Sequence, residues 1–333
     1  MSEIRFDVIG IGNAIVDILV QTETSLLEDL GLAKGAMSLV DAKAAQSIYE
    51  KVGPATECSG GSAANTIAGL ASFGGRGAFV GKVRDDQLGN VFSHDIRALG
   101  VHFETAPASD GAATATSLVL VTPDADRTML TYLGACIELG PGDINADDIA
   151  DAQVTYMEGY LWDLPAAKEA FLTAAGIAHE NGRDVSLSLS DPFCVDRHRE
   201  DFVDLVANHV DILFANEDEI ISLYQVDDFD KALQAVRGQC RIAALTRGDK
   251  GSVVLAGDEV HVIDAEPIDT VVDTTGAGDA YAGGFLFGHT QGRGLSDSAR
   301  LGNIAAAEII SHLGARPATS LKDLANARLG ATA

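Results

Sequence analysis

The sequence predicts an α/β fold in which helices cover both faces of a mainly parallel β-sheet, with a smaller β-sheet beside it. Short apolar segments alternate with helical patterns along most of the 333 residues, and such alternation is typical of parallel sheets. Two stretches break the alternation and look like antiparallel strand pairs. The chain length suits one large α/β domain with an appendage, or two domains.

The strands of the main sheet are predicted from short apolar runs. The first covers residues 7–12, which end in glycines. The later ones are 78–81, 154–158, 184–189, 210–215 and 242–246. Apolar residues at helical spacing separate most of these runs. Because such sheets bind ligands at the carboxyl ends of their strands, we expect the polar motifs that follow the runs to form the site.

The smaller sheet is predicted from residues 114–121 and 127–133, an antiparallel pair around a turn at 123–126. The segment after Asn13 is expected to join it. This sheet would stand off the main domain.

A hairpin of residues 252–255 and 260–263 is expected beside the main sheet. We therefore predict a single domain over 1–333, with the small sheet built from insertions around 14–40 and 110–135.

The composition argues against several classes of function. A formal charge of −26 disfavours binding to nucleic acid or to an anionic membrane. The first residues lack the basic and apolar regions of a signal peptide, and no apolar run approaches the ~20 residues needed to span a bilayer. The four cysteines are far apart and form no CxxC pair, which argues against a zinc knuckle and a disulfide framework. We expect a cytoplasmic protein that acts on small molecules.

The most informative motif is residues 273–285, a glycine-rich turn that opens a helix. The N–H groups at a helix start attract phosphate. Asp279 would take a proton from a substrate hydroxyl while the N–H groups of Gly276, Ala277 and Gly278 hold the phosphoryl group. The ordinary alternative is a helix with a glycine N-cap and an acidic residue that stabilises the helix dipole.

A second glycine-rich loop carries Gly60, Gly61, Ser62 and Asn65. The glycines allow close backbone approach, and the Asn65 amide offers both a donor and an acceptor. The motif lacks the last glycine of a nucleophile elbow, because Ala64 stands there, and no clear strand is predicted before it. Both features argue against a serine hydrolase.

Asn13 and Asp17 follow the first strand, four residues apart. A carboxylate can accept hydrogen bonds from both hydroxyls of a sugar diol, whereas the alternative for these residues is turn and cap chemistry. The two common nucleotide-binding motifs are incomplete. The glycines of residues 10–12 lack the third glycine of the dinucleotide fingerprint, and residues 80–83 lack the Ser or Thr that ends a Walker A loop.

Two further strand ends carry polar motifs. Asn216 and Glu219 are either part of an acidic helix start or an outer-sphere site that orders the waters of a phosphate-bound Mg²⁺. Thr246, Gly248 and Gly251 lie in a loop that would suit the lining of a nucleotide site, or a plain β-turn.

Together, and in this order, these residues resemble the ribokinase-like family, the phosphofructokinase-B type of carbohydrate kinase. Residues 273–285 match its C-terminal signature, residues 60–75 its N-terminal signature, and Asn216-x-x-Glu219 its magnesium-organising motif. The resemblance implies a three-layer α/β/α domain with a small β-sheet lid, ATP as phosphoryl donor and Mg²⁺ as cofactor. Asp273 matches a residue near the monovalent-cation loop of several relatives, which implies a K⁺ site.

Within the family the chain is most similar to adenosine kinases, through residues 12–17, 187–193 and 210–217. Arg127 matches a lid arginine that reaches the phosphates, and Asn303 a residue that lines the adenine pocket of ATP. The resemblance implies purine salvage chemistry, in which ATP phosphorylates the 5′-hydroxyl of adenosine.

The aromatic residue that would stack on the substrate base is either Tyr160 or Trp162, and either could instead belong to the core. The alternatives are a sugar kinase, a kinase of another nucleoside, and a binding protein that has lost catalysis. The protein is expected to be a monomer or a homodimer.

Overall fold

The structure, a computed structural model, describes residues 4–124 and 126–330. The strands are β1 (Phe6–Ile11), β2 (Ile15–Gln21), β3 (Met37–Leu39), β4 (Thr56–Gly60), β5 (Gly77–Val80), β6 (Ala115–Val121), β7 (Arg127–Tyr132), β8 (Ala152–Glu158), β9 (Asp184–Ser188), β10 (Ile212–Asn216), β11 (Ile242–Thr246), β12 (Ser252–Ala256) and β13 (Glu259–Ile263). The helices are α1 (Thr24–Asp29), α2 (Ala42–Tyr49), α3 (Ser62–Ser72), α4 (Gln87–Ala98), α5 (Ala146–Ala150), α6 (Pro165–Glu180), α7 (Pro192–Asn208), α8 (Glu217–Tyr224), α9 (Phe229–Val236), α10 (Ala277–Thr290), α11 (Leu295–Ile309) and α12 (Leu321–Leu329).

The main sheet has eight strands in the order β13-β12-β11-β10-β9-β8-β1-β5. All neighbours from β11 to β5 pair in parallel, whereas β12 and β13 form an antiparallel hairpin at one edge. The predicted parallel strands and the predicted hairpin are therefore confirmed. In each case an apolar run bounded by polar or glycine residues marks the strand.

Helices cover both faces of the main sheet. Successive residues of a strand point to opposite sides of the sheet, so neighbouring residues pack against different helices. Val8 and Ile212 pack with α3, α4, α10 and α11 on one face. Their neighbours Ile9 and Leu213 pack with α5 to α9 on the other face. Both faces of these strands are thus apolar, as expected for a parallel sheet that is buried between two layers.

The second sheet has five strands in the order β3-β7-β6-β2-β4. The predicted antiparallel pair is confirmed as β6 and β7, and β2 pairs in parallel with β6. One face packs Ile18, Leu118 and Leu130 against Leu27 of α1. The other face, with Asp17 and Ser117, is turned towards a cavity beside the main sheet.

The position of β4 differs from two expectations. It lies directly before α3, where the sequence predicted no clear strand, and it lies outside the two insertions expected to build the small sheet. The Thr-Glu-Cys-Ser-Gly segment is polar because β4 is an edge strand that pairs with β2 alone and is partly exposed. The predicted turn at 123–126 includes residue 125, which lies outside the described residues. Within residues 4–124 and 126–330, no helix has the length and apolar character needed to cross a bilayer.

Candidate active site

A cavity of about 710 Å³ lies between the two sheets, at the carboxyl ends of the parallel strands. Such a volume is typical of small-molecule sites. Its wall includes most of the site residues predicted from the sequence, namely Asn13, Asp17, Gly61, Ser62, Asn65, Arg127, Tyr160, Asn216, Glu219, Thr246, Gly248, Gly276, Ala277, Gly278 and Asp279. The structure therefore brings together motifs that are separated by more than two hundred residues.

One end of the cavity is formed by the start of α10. Gly276 is its N-cap with φ 77°, and a Cβ atom there would lie 2.5 Å from the Cβ of Ala315, so only glycine fits. The first N–H groups of a helix have no partner inside the helix. A Cβ on Gly278 would meet no atom within 4 Å, which leaves room for a ligand beside these N–H groups. The turn has the geometry of an anion-binding site.

Asp273 holds the backbone of this turn through hydrogen bonds and does not itself line the cavity. It is fully buried. Its Oδ1 accepts from the N–H of Thr275 at 2.9 Å and from its hydroxyl at 2.6 Å, and its Oδ2 accepts from the N–H of Gly314 at 3.0 Å. These bonds fix the backbone that leads into α10. The K⁺ site at Asp273 stays a prediction.

Asp279 lies in the first turn of α10 and faces the start of α3. Its Oδ1 accepts from the Ser62 hydroxyl at 2.6 Å, and its Oδ2 accepts from the Asn65 amide at 3.0 Å. Burial raises the pKa of Asp279, and these two hydrogen bonds oppose the rise. The Asn65 Oδ1 is buried and has no hydrogen-bond partner in the described part of the chain. The residue as a whole lines the cavity.

Glu158, at the end of β8, was missed by the sequence analysis. Its carboxylate is fully buried and accepts from the Asn13 N–H at 2.9 Å, the Asn13 amide at 2.7 Å and the Ala63 N–H at 2.7 Å. Because the Asn13 Nδ2 is engaged with Glu158, the Asn13 Oδ1 remains as an acceptor. Burial raises the Glu158 pKa to about 7. The only sequence feature that could have indicated a site residue here is a carboxylate at the end of an apolar strand.

Asp17 lies on β2, which pairs with β4, the strand that leads into the start of α3. Gly60 lies directly against its carboxylate and leaves no room for a side chain there. Burial raises the pKa of Asp17 to about 7, and the charge of Arg316 opposes the rise. Gly61 is the N-cap of α3 with φ 94°, and its backbone approaches the carbonyl oxygen of Asn13. Asp17, Asn13 and Gly61 thus lie on the wall of the same cavity as Asp279.

The small sheet also brings a cation to α10. Arg127 is the first residue of β7, and its Nη1 donates to the Thr274 hydroxyl at 2.7 Å. The same nitrogen lies 3.7 Å from the Asp273 Oδ1. The predicted lid arginine is therefore held above the anion-binding turn.

Part of the cavity wall is apolar, beside the charged side chains of Asp163 and Arg197. Met37, Leu39 and Met129 come from the small sheet, and Tyr160 and Phe193 from the main domain. Leu39 is 55% exposed and Phe193 is 74% exposed. Residues 187–193 entered the sequence-based prediction only through their resemblance to a family. The place of Phe193 on the cavity wall was therefore not predicted.

Tyr160 and Trp162 differ in position. The Tyr160 hydroxyl donates to the Ser190 carbonyl at 3.3 Å, and the ring lies on the cavity wall. Trp162 is 4% exposed and packs in the core against Phe171 and Phe202. The structure therefore brings Tyr160 to the site and leaves Trp162 outside it.

Comparisons with known proteins agree with this geometry. The model of the pfkB family of carbohydrate kinases matches residues 35–322. The chain belongs to this family. It is therefore a phosphotransferase with an alcohol group as acceptor, and its two sheets form the ribokinase-like fold with a lid.

Three relatives illustrate the similarity. A solved structure of adenosine kinase from Sinorhizobium meliloti is 52% identical, with a TM-score of 0.94, and the match covers 97% of this chain and 99% of that one. A probable sugar kinase from Rhizobium etli is 53% identical, with a TM-score of 0.94 and coverage of 98% and 99%. Adenosine kinase from Schizosaccharomyces pombe is 27% identical over 90% of this chain and 93% of its own length.

Kinases of the pfkB family use ATP and Mg²⁺, and two residues of the cavity wall, Asn216 and Glu219, could hold the waters of a bound Mg²⁺. Asn216 and Glu219 form a capping box, in which the Asn216 amide and N–H donate to the two Glu219 oxygens at 2.7 and 2.8 Å. Each oxygen keeps a lone pair for a water molecule. Burial raises the Glu219 pKa to about 7.

No group of three or more His, Cys, Asp or Glu side chains in residues 4–124 and 126–330 could hold a metal ion directly.

Not all predicted nucleotide residues reach the cavity. Thr246 and Gly248 line it, whereas Gly251 and Asn303 are not on the wall. The Asn303 amide donates to the carbonyl of Asp264 at 2.9 Å. The role predicted for Asn303 at adenine therefore stays a prediction that the cavity wall does not support.

Proposed function

We propose that this pfkB-family kinase transfers the γ-phosphoryl group of ATP to the 5′-hydroxyl of adenosine. The observation that carries the proposal is the position of Asp279. It stands between the N–H groups at the start of α10 and the hydroxyl-binding groups at the start of α3. A base, an anion hole and a set of hydroxyl ligands thus meet at one point.

In the proposed reaction, Asp17, Asn13, Gly61 and Asn65 hold the ribose and place its 5′-hydroxyl near Asp279. An Asp279 oxygen takes the hydroxyl proton while the hydroxyl oxygen bonds to the γ-phosphorus. The bond from that phosphorus to the bridging oxygen of ADP breaks. Positioning and electrostatic stabilisation supply most of the rate in such transfers.

The remaining residues act on charge. The N–H groups of Gly276, Ala277 and Gly278 stabilise the transferring phosphoryl group, and Arg127 adds a positive charge from the lid. Mg²⁺, when bound, neutralises part of the phosphate charge. Asn216 and Glu219 would hold its waters.

The apolar part of the cavity wall favours a nucleoside over a free sugar. Tyr160, Phe193 and Leu39 present apolar surface that a free sugar would leave uncovered, whereas a flat base would bury it. Two of the relatives are adenosine kinases by name, which supports the same acceptor. The polar part of the cavity wall alone would serve a sugar equally well, and the relative named as a probable sugar kinase keeps that alternative open.

The test is an ADP-release assay with Mg-ATP and a panel of adenosine, inosine, guanosine, cytidine, ribose and fructose, each with and without K⁺. We expect adenosine to give the highest kcat/KM. Turnover of a sugar alone would overturn the adenosine assignment and leave the family assignment intact. No turnover with any acceptor would favour a binding protein.

A further inference from the structure

One loop joins the two helix starts that meet at Asp279. Residues 314–316, here named the brace loop, follow α11. The Gly314 N–H donates to Asp273 below the anion-binding turn, and Ala315 lies against the Gly276 N-cap of α10. The brace loop is therefore fixed to the phosphate side of the site.

The third residue of the brace loop reaches the hydroxyl-binding side. The Arg316 Nε donates to the carbonyl of Ser59 at 2.9 Å, and its Nη1 donates to the carbonyl of Ala64 at 2.6 Å. These carbonyls flank Gly60, Gly61 and Ser62. The Arg316 Nη2 is buried and has no hydrogen-bond partner in residues 4–124 and 126–330.

We infer that Arg316 is a positioning residue for the proposed phosphotransfer. It fixes the start of α3 relative to the start of α10, and its positive charge favours the ionised forms of Asp17 and Asp279. The inference rests on the proposed function, because alignment of a hydroxyl with a phosphoryl group is what the two helix starts would have to provide.

The geometry makes this role specific. Ser62 and Asn65, the two residues that hydrogen-bond to Asp279, lie at the start of the helix that Arg316 holds through Ala64. A planar guanidinium can bind two carbonyl groups at once in a fixed orientation, which a lysine ammonium does less well. Loss of Arg316 would therefore loosen the segment that orients Asp279.

Charge gives the second part of the role. Burial raises the pKa of both Asp17 and Asp279, and the positive charge of Arg316 opposes the rise in each case. Burial also lowers the Arg316 pKa to about 10, so the guanidinium stays charged at neutral pH. The other titratable groups around these carboxylates and Arg316 come from all the surrounding elements: Cys58, Asp95, Arg127, Tyr156, Glu158, Tyr160, Glu219 and Asp273.

The experiment compares Arg316→Met and Arg316→Lys with wild type in the full chain. Arg97→Met is the matched control, because Arg97 also holds a backbone carbonyl, that of Phe103, at 2.9 and 2.7 Å but lies away from the cavity wall. Hydrogen exchange of the amides in residues 59–66 reports positioning. The pH profile of kcat, measured with whichever acceptor the wild type uses, reports charge.

Arg316→Met should speed exchange in 59–66 at least about tenfold, because it removes both charge-assisted hydrogen bonds, either of which alone accounts for such a factor. Its acid limb should move up by about one pH unit, because an opposite charge near a carboxylate lowers its pKa by one to three units. Arg316→Lys should also exchange faster but keep the acid limb of the wild type. It also serves as the variant to measure if Arg316→Met does not fold.

Exchange and pH profiles of Arg316→Met that match those of Arg97→Met would overturn the inference. A wild type that phosphorylates no acceptor refutes the proposed function instead. In that case the exchange comparison still decides whether Arg316 holds the start of α3, and unchanged exchange would overturn its role.

Discussion

Replacement of Asp279 by Asn tests the proposed base with little disturbance of the fold. The new amide oxygen can still accept from Ser62. The new NH₂ group would face the Asn65 NH₂, now 3.0 Å from the Asp279 oxygen. Because the Asn65 Oδ1 has no partner in the described residues, rotation of that amide by half a turn restores the second hydrogen bond. Because both hydrogen bonds can be kept, we expect the free energy of unfolding to change by less than about 1 kcal/mol.

The effect on catalysis should be far larger. A general base contributes about 10²–10⁴-fold to the rate, equivalent to about 3–5 kcal/mol of transition-state stabilisation. Asp279→Asn should therefore lower kcat at least about a hundredfold. The Kd for the acceptor should change little. Steady-state ADP release gives kcat, calorimetric titration gives Kd, and thermal unfolding checks the fold.

Asp297→Asn is the matched control. Asp297 occupies the same place in the first turn of α11 as Asp279 does in α10, but it is exposed. It shares the favourable interaction with the helix dipole without any contact to the cavity wall. We expect wild-type kcat for this control. If purified, folded Asp279→Asn keeps more than about a tenth of wild-type turnover, the assignment of Asp279 as the base is wrong.

Three other predictions follow from the site. Asp17→Ala should raise KM for the acceptor about tenfold or more with a smaller effect on kcat, because it removes ground-state binding. Phe193→Ala should raise KM for adenosine but not for ribose, since stacking of a base on an aromatic ring contributes about 1–3 kcal/mol. Without ligands, Tm should be higher at pH 6 than at pH 8. Burial holds the pKa of Asp17, Glu158 and Glu219 at about 7, so the folded protein binds more protons than the unfolded chain above about pH 4 and loses stability as pH rises through 7.

Each of these has a result that contradicts it. For Asp17, that result is a kcat defect at unchanged KM. For Phe193, it is an equal loss with adenosine and ribose, and Trp162→Phe is the control, because this core substitution should alter Tm rather than KM. A Tm that rises between pH 6 and pH 8 would show that the buried carboxylates do not control the pH dependence of stability.

The sequence predicts the main sheet well because its strands are apolar on both faces. It fails at β4, which is polar and lies at the edge of the small sheet. The glycine-rich motifs are predictable because their backbone conformations admit few other residues.

Long-range polar contacts are harder to predict. Glu158 meets Asn13 across 145 residues, and Arg316 meets Ser59 across 257. No local sequence pattern predicts either of these contacts. The placement of Tyr160 and Trp162 depends on a 3₁₀ turn at Gly159–Asp163, whose orientation only the packed structure supplies.

The join between the two sheets has a mechanical consequence. Only residues 12–14 separate β1 from β2, so Asn13 is at once a link between the sheets and a wall residue of the cavity. Asp17 and Arg127 belong to the small sheet, whereas Asp279 belongs to the main domain. Any tilt of the small sheet would therefore move the side chains of Asp17 and Arg127 together, relative to Asp279. For the proposed reaction, alignment of the acceptor hydroxyl with the phosphates would therefore depend on how the short link at residues 12–14 holds the two sheets together.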